Sequence, residues 1–257
     1  MKAIDFSRFS TGDKAVTMFP TDCELIIPGA WHGAVGYTGV SETLREARLR
    51  GKKTATYTAL NQHNTGTFAV DTAFELVGPT NWAALSFVAL DMETDGLTMQ
   101  HLLDARDRVL ALGQRPALYT AYWWWVGHFG NPPIPTGLPL WNAYYDNDPD
   151  YDFHRLPYGG PGVQLIGEQY TNTTPMPGAG YSVDYNGFTD AWVNAGPGAE
   201  NGLLLLRKAW EEDMADTVKG AAALHQGPIF PEALGLFGLR NVEKAQNWAK
   251  LIAGGKK

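Results

Sequence analysis

A (β/α) barrel of about eight strands, regular in its first half and irregular in its second, is the fold this sequence predicts. Three observations point to it. Short apolar segments recur along most of the chain, helix-like stretches separate the early ones, and acidic residues sit at or near the carboxyl ends of several of them. At 257 residues, 44% hydrophobic and 18% charged, the chain has enough core for one large barrel or two modest domains.

Strands are predicted at 2–6, 23–28, 53–60 and 86–92, then at 115–121, 138–144, 162–168 and 181–185. Each is a short apolar run, and strands alternating with helices imply a parallel sheet. Helices are predicted at 41–50, 67–78 and 98–113. The last has the clearest pattern: Thr98 can cap it, Met99, Leu102, Leu103, Val109 and Leu110 fall on or near one stripe, and Gly113 stops it. Later connections are too short or too rich in Pro and Gly for full helices, which makes the second half irregular. The barrel is assigned to residues 1–193, and 194–202, rich in Gly and Pro, reads as a linker. Residues 203–257 read as a helical C-terminal extension, with helices at 203–223 and 241–253 around a Gly/Pro break at 227–231. It could pack on the barrel, mediate oligomerisation or attach the protein to a larger assembly.

Composition excludes several function classes. A net charge of −7 argues against nucleic acid as a general partner and gives no reason to bind anionic lipid. Cys23 is the only cysteine, so no intrachain disulfide and no thiol metal cluster can form. The amino terminus shows no signal-peptide pattern, and no segment approaches the ~20 apolar residues of a membrane span. The six histidines, at 32, 63, 101, 128, 154 and 225, show no metal-ligand spacing. Residues 51–54 lack the leading glycine of a phosphate loop, and no Gly-x-Ser-x-Gly elbow is present. No metal or organic cofactor is therefore expected. Nine Trp and eleven Tyr supply flat rings suited to sugars as well as to cores.

The most informative stretch is Phe87-Val88-Ala89-Leu90-Asp91-Met92-Glu93, an apolar run that ends in carboxylates. On an extended strand Asp91 and Glu93 would share a face, roughly 6.5–7 Å apart. Buried together, one acid gains proton affinity while its neighbour stays ionised. That is the arrangement of an acid/base hydrolase, particularly a glycosidase. The plainer reading is a strand end whose acids meet solvent or cap the next helix.

The order of motifs resembles glycoside hydrolase family 25, the lysozyme-like muramidases of bacteria and their phages. Ile4-Asp5 opens the series, followed by Asp91-Met92-Glu93, Leu118-Tyr119-Thr120, Leu140-Trp141-Asn142-Ala143-Tyr144-Tyr145, Gln169-Tyr170-Thr171 and Val183-Asp184-Tyr185-Asn186. The resemblance covers residues 2–192. Arg8-Phe9 stands where the family usually has Gln-Gly, Glu168 replaces a frequent aromatic residue, and the run Tyr122-Trp123-Trp124-Trp125 lies outside the family pattern.

By resemblance, Glu93 is the proton donor to the glycosidic oxygen and Asp91 its electrostatic partner. Asp184 would orient the substrate's N-acetyl group or a water, and Asp5 would anchor the floor of the site. Tyr57, Tyr119, Trp141, Tyr145 and Gln169 are second-rank candidates for lining the sugar groove, core packing being about as good a reading for each. The Trp run is expected to be buried or interfacial rather than sugar-binding. The resemblance implies a peptidoglycan hydrolase that cuts the β-1,4 bond between N-acetylmuramic acid and N-acetylglucosamine. It further implies a phage product acting on the bacterial wall, either a released lysin or a virion-borne enzyme touching other virion proteins through its C-terminal extension. The alternative is a virion structural or wall-binding protein that keeps the barrel but turns over little.

Overall fold

The computed structural model describes residues 1–148, 158–176 and 180–195. They belong to the first of two compact units, Met1–Leu205; the second, Leu206–Lys257, lies outside the described residues.

Eight strands close into a barrel. In chain order they are β1 (Lys2–Phe6), β2 (Leu25–His32), β3 (Lys53–Thr54) continued by β4 (Thr56–Ala59), β5 (Val88–Asp91), β6 (Pro116–Ala121), β7 (Leu140–Ala143), β8 (Leu165–Gln169) and, after the two-residue β9 (Thr174–Pro175), β10 (Ser182–Phe188). The strands from β1 to β8 run parallel, whereas β10 closes the ring antiparallel to both β8 and β1. The expected all-parallel sheet is thus corrected to a mixed one. Between β8 and β10 the chain forms β9, which pairs antiparallel with β10; antiparallel neighbours need no helical crossover between them. Asp184 therefore lies near the amino end of its strand, not the carboxyl end. The reversal nevertheless pairs it in register with Asp5, at the same mouth.

Strand side chains alternate between two cores. Ala3, Leu25, Ala55, Phe87, Ala89, Ala117, Trp141 and Phe188 fill the barrel. Their neighbours Ile4, Ile26, Val88, Leu90, Leu118 and Leu140 face outward, in one cluster with Leu44, Val70, Leu102 and Val109. Those four belong to α2 (Val40–Leu49), α3 (Gly66–Val77) and α5 (Met99–Ala111). Burial on both faces is why these strands read as unbroken apolar runs. Each large side chain so buried contributes about 1.5–3 kcal/mol. Inside the barrel, Phe188 packs on Phe87 and Trp141 with ring centroids 5.4 and 5.3 Å apart. Toward the carboxyl ends the inward positions turn polar: Asp5, Tyr57, Asp91, Tyr119 and Gln169, joined by Asp184 and Asn186 of β10.

The helices predicted at 41–50, 67–78 and 98–113 form with ends shifted by a residue or two. Thr65 caps α3 by accepting from the Phe68 N–H at 3.1 Å. The His101 ring accepts from the Thr98 N–H ahead of α5, and Gly113 takes the left-handed conformation just past its end (φ 72°). Among the described residues, four shorter helices lie outside the predicted set: α1 (Arg8–Thr11), α4 (Pro79–Ala83), α6 (Tyr122–Phe129) and α7 (Asp190–Asn194). The Trp run is α6, which starts directly from the end of β6. Its apolar side chains hide the helical period, because Trp125 is buried whereas Trp123 is 47% exposed. At the other end Asn194, read as the start of the linker, still belongs to α7. The rest of that linker from residue 196, and the whole C-terminal extension, fall outside the described residues. Among the described residues, no helix is long and apolar enough to cross a membrane.

Gly66 marks the close approach of α3 to α5, since a Cβ there would sit 2.0 Å from the His101 carbonyl oxygen and 2.6 Å from the Ala105 nitrogen. Neither backbone atom can yield cheaply. Gly66→Ala is predicted to lower unfolding free energy by about 1–3 kcal/mol. In α6, Gly127 faces open space, and Gly127→Ala is predicted to raise it by about 0.5–1 kcal/mol. Urea unfolding of the two variants checks both signs.

Candidate active site

β5 delivers Asp91 as its last residue, and the chain then turns so that the Glu93 N–H donates to Asp91 Oδ1 at 2.8 Å. This departs from the extended geometry expected of the pair. Glu93 has left the strand, and the two acids are joined by a local turn rather than by a shared pleat. The turn leaves Glu93 Oε1 buried with no hydrogen-bond partner among the described residues. Burial, aided by the Asp91 charge, pushes the Glu93 carboxyl up to about 8, against the pull of the Ala121 backbone. Burial also raises Asp91 to about 6, with the Glu93 N–H working against it. The pair titrates as a unit, Glu93 holding the proton more tightly. One protonated and one ionised carboxyl side by side can donate a proton and stabilise a developing positive charge.

Around the ring of strands, β10 lies four places from β5, which sets Asp184 across the mouth from the pair. Asp184 accepts a short hydrogen bond from the Thr173 N–H, and burial raises its pKa. Asp5 is 5% exposed; burial and then the Asp184 charge raise its pKa well above the usual carboxylate range, while the amides of Asn186 and Gln169 lower it.

Those amides organise the floor. Gln169 Nε2 donates to Asp5 Oδ1 at 2.9 Å and to Asp184 Oδ2 at 3.3 Å, while its Oε1 accepts from the Tyr119 hydroxyl at 2.6 Å. The tyrosine hydroxyl thereby fixes which way the amide points. Asn186 Nδ2 donates to Asp5 Oδ1 at 2.8 Å, and its Oδ1 accepts from Trp141 Nε1 at 3.0 Å. Gln169 and Trp141 are buried and act as supports beneath the acids. Of the two readings the sequence leaves open for them, packing is the one their burial and hydrogen bonds favour. Each already spends its polar atoms on the floor, and Trp141 lies under Tyr119 with ring centroids 4.6 Å apart. Tyr57 and Tyr119 are half-buried, and Tyr145 is 37% exposed. Tyr57 lies within electrostatic reach of Asp5, Asp91 and Asp184, and Tyr145 within reach of Glu93, Asp5 and Asp184.

Two supporting residues were not anticipated as such. Asn186 closes the Val-Asp-x-Asn motif, two residues along the strand from Asp184 and so on the same face; that spacing was the available signal. His32 lies beyond the predicted end of its strand, which runs on through an irregularity between Gly29 and Trp31. It packs edge-on against Tyr57 at 5.5 Å, in space that a side chain at position 29 would fill: a Cβ there would come within 2.4 Å of both rings. Burial pushes the His32 imidazole down to about 4, so the ring is neutral at pH 7 and its Nε2 accepts from the Arg8 N–H at 3.4 Å.

No protein-family model matches the chain. "Probable GH family 25 lysozyme 3" of Dictyostelium discoideum is 26% identical over 173 residues, 63% of this chain; the chain spans 35% of that relative's length. Among solved structures, the bacterial lysozyme from Streptomyces coelicolor aligns with a TM-score of 0.59 at 20% identity, over 76% of this chain and 95% of that one. The catalytic domain of endolysin ply40 from bacteriophage P40 of Listeria monocytogenes aligns with a TM-score of 0.56 at 15% identity, over 75% and 95%. The fold is therefore the closed mixed barrel with helices found in the family 25 lysozymes.

The burial of Glu93 has a consequence for stability. An acid held at about 8 in the folded chain against 4.5 in its absence costs the fold nothing below 4.5. The cost grows as pH rises toward 8, then stays constant. Glu93→Gln removes it. The variant is predicted to melt a few degrees above the wild type at about pH 9, with the gap closing by about pH 4; thermal unfolding at the two pH values measures it.

Proposed function

We propose that this chain is a muramidase, a peptidoglycan hydrolase that cleaves the β-1,4 bond between N-acetylmuramic acid and N-acetylglucosamine. The observation that carries the reading is the buried, unpartnered Glu93 Oε1 beside Asp91 at the mouth of this barrel. Glu93 gives its proton to the glycosidic oxygen as the bond to the anomeric carbon breaks. Ionised Asp91 stabilises the positive charge that spreads over C1 and the ring oxygen. Asp184, across the mouth, orients the N-acetyl group or the water that completes the reaction, and Asp5 holds the floor through Gln169 and Asn186. The likeness to the lysozyme of Dictyostelium and to the bacterial lysozyme supports the activity. Likeness to a phage endolysin supports origin in a bacteriophage, as a released lysin or a virion-borne enzyme, with residues 203–257 as its attachment to other virion proteins.

Release of new reducing ends from purified bacterial walls tests the proposal. Glu93→Gln is predicted to lower kcat by about 10²–10⁴-fold. Wild type that releases no reducing ends from walls of several chemotypes would leave the barrel as a wall-binding or virion structural protein. Full activity in the variant would mean another acid donates the proton. Activity is further predicted to follow a bell with limbs near 6 and 8, the values at which Asp91 loses its proton and Glu93 gives up its own. Asp91→Asn removes a charge that raises Glu93, so the alkaline limb of the residual activity should move to lower pH.

A further inference from the structure

Two rows of aromatic rings lead from solvent to the acids. In the first, Phe9 of α1 packs edge-on against His32 at 5.4 Å, and His32 against Tyr57 at 5.5 Å. Phe9 is 75% exposed. In the second, Trp123 of α6 lies against Tyr145 at 5.7 Å. Trp123 is 47% exposed. The helix carrying Trp123 is pinned on its other sides. Trp125 is buried and donates from Nε1 to the Pro132 carbonyl at 2.9 Å. Trp124 stacks on His128 at 3.8 Å, and His128 Nε2 pairs at 3.0 Å with Asp95, two residues past Glu93.

The two rows lie on opposite sides of the ring. β2, which ends in His32, and β7, which leads into Tyr145, are four places apart, just as β5 and β10 are. The carboxylates therefore define one diameter of the mouth, and the aromatic rows define the diameter that crosses it. An aromatic ring that stays half in water offers a flat apolar face, and the apolar faces of a pyranose ring suit it. The exposed ends, Phe9 and Trp123, are moreover at the two places where the chain leaves the family pattern with an aromatic residue.

Resting on the muramidase reading, we propose that Phe9 and Trp123 are the outer platforms of a glycan cleft that runs along this aromatic diameter. Each stacks on a sugar ring remote from the bond cleaved at its centre. The occupant is the interior of a long β-1,4-linked amino-sugar strand, held on both sides of the acids. Phe9 and Trp123 set preference for strand length without touching the reacting atoms.

The test uses the full chain with Phe9→Ala, Trp123→Ala, their combination and Trp123→Phe. Substrates are a peptidoglycan tetrasaccharide and glycan strands of about ten disaccharides. Each alanine variant should raise KM for the long strands by about tenfold, the double variant by about the product, with kcat within about twofold and the tetrasaccharide unaffected. Trp123→Phe should restore most of the affinity. Equal effects on short and long substrates, or none on either, would overturn the platforms while leaving the hydrolase reading intact. Affinity of the same variants for long strands in a Glu93→Gln background judges the platforms separately. A wild type without hydrolytic activity would sink the function alone, and unchanged binding in the alanine variants would sink the cleft.

Discussion

Asp5 sits buried where the first and last barrel strands meet, and its carboxylate is held by two amide side chains. A carboxyl group in such a place is tolerable only while those donors stay where they are, because each buried polar atom left without its bond costs about 1–3 kcal/mol. Gln169 is itself oriented by the Tyr119 hydroxyl and Asn186 by the Trp141 indole. The chain of dependence thus runs from the apolar filling of the barrel, through Trp141, to the acids at the mouth.

The antiparallel last strand is part of the same solution. By returning against β1 it sets Asp184 in register with Asp5, so one amide, Gln169, reaches both acids. It also brings Asn186 alongside from the same strand. A parallel final strand would offer its carboxyl end to the mouth and a different set of side chains. Glu93 stands outside this network, with one oxygen left without a partner. The floor spends its amide donors on Asp5 and Asp184, and Glu93 receives none of them.

The strands were legible because both their faces are apolar, and Asp5, Asp91 and Asp184 because acids interrupt those runs. The antiparallel sense of β10 was not legible, since a five-residue pattern such as 181–185 has no direction. Helix α6 was hidden for the opposite reason: four consecutive aromatic residues show no period, and only packing separates buried Trp125 from exposed Trp123. Gln169 and Trp141 were found as residues, but sequence alone left their role open between groove lining and core packing. Their types suit sugar binding, and it takes the hydrogen bonds to show that their polar atoms are already engaged. His32 gave no signal at all, because its place depends on the irregularity after Gly29 and on the room that a missing side chain leaves.

A division of labour follows from where the rigid and exposed parts lie. Asp5 and Asp184 are fixed by bonds to β8, β10 and the barrel filling, and the Asp91–Glu93 pair by the turn that follows β5. Phe9 and Trp123 stand exposed on short helices at the rim, where they can change without disturbing a single hydrogen bond of the floor. Sequence drift away from a family pattern is therefore tolerable at Arg8-Phe9 and in the Trp run, but not at Gln169 or Asn186. The aromatic departures at Phe9 and Trp123 thus lie at the rim, apart from the bonds that fix the geometry of the acids.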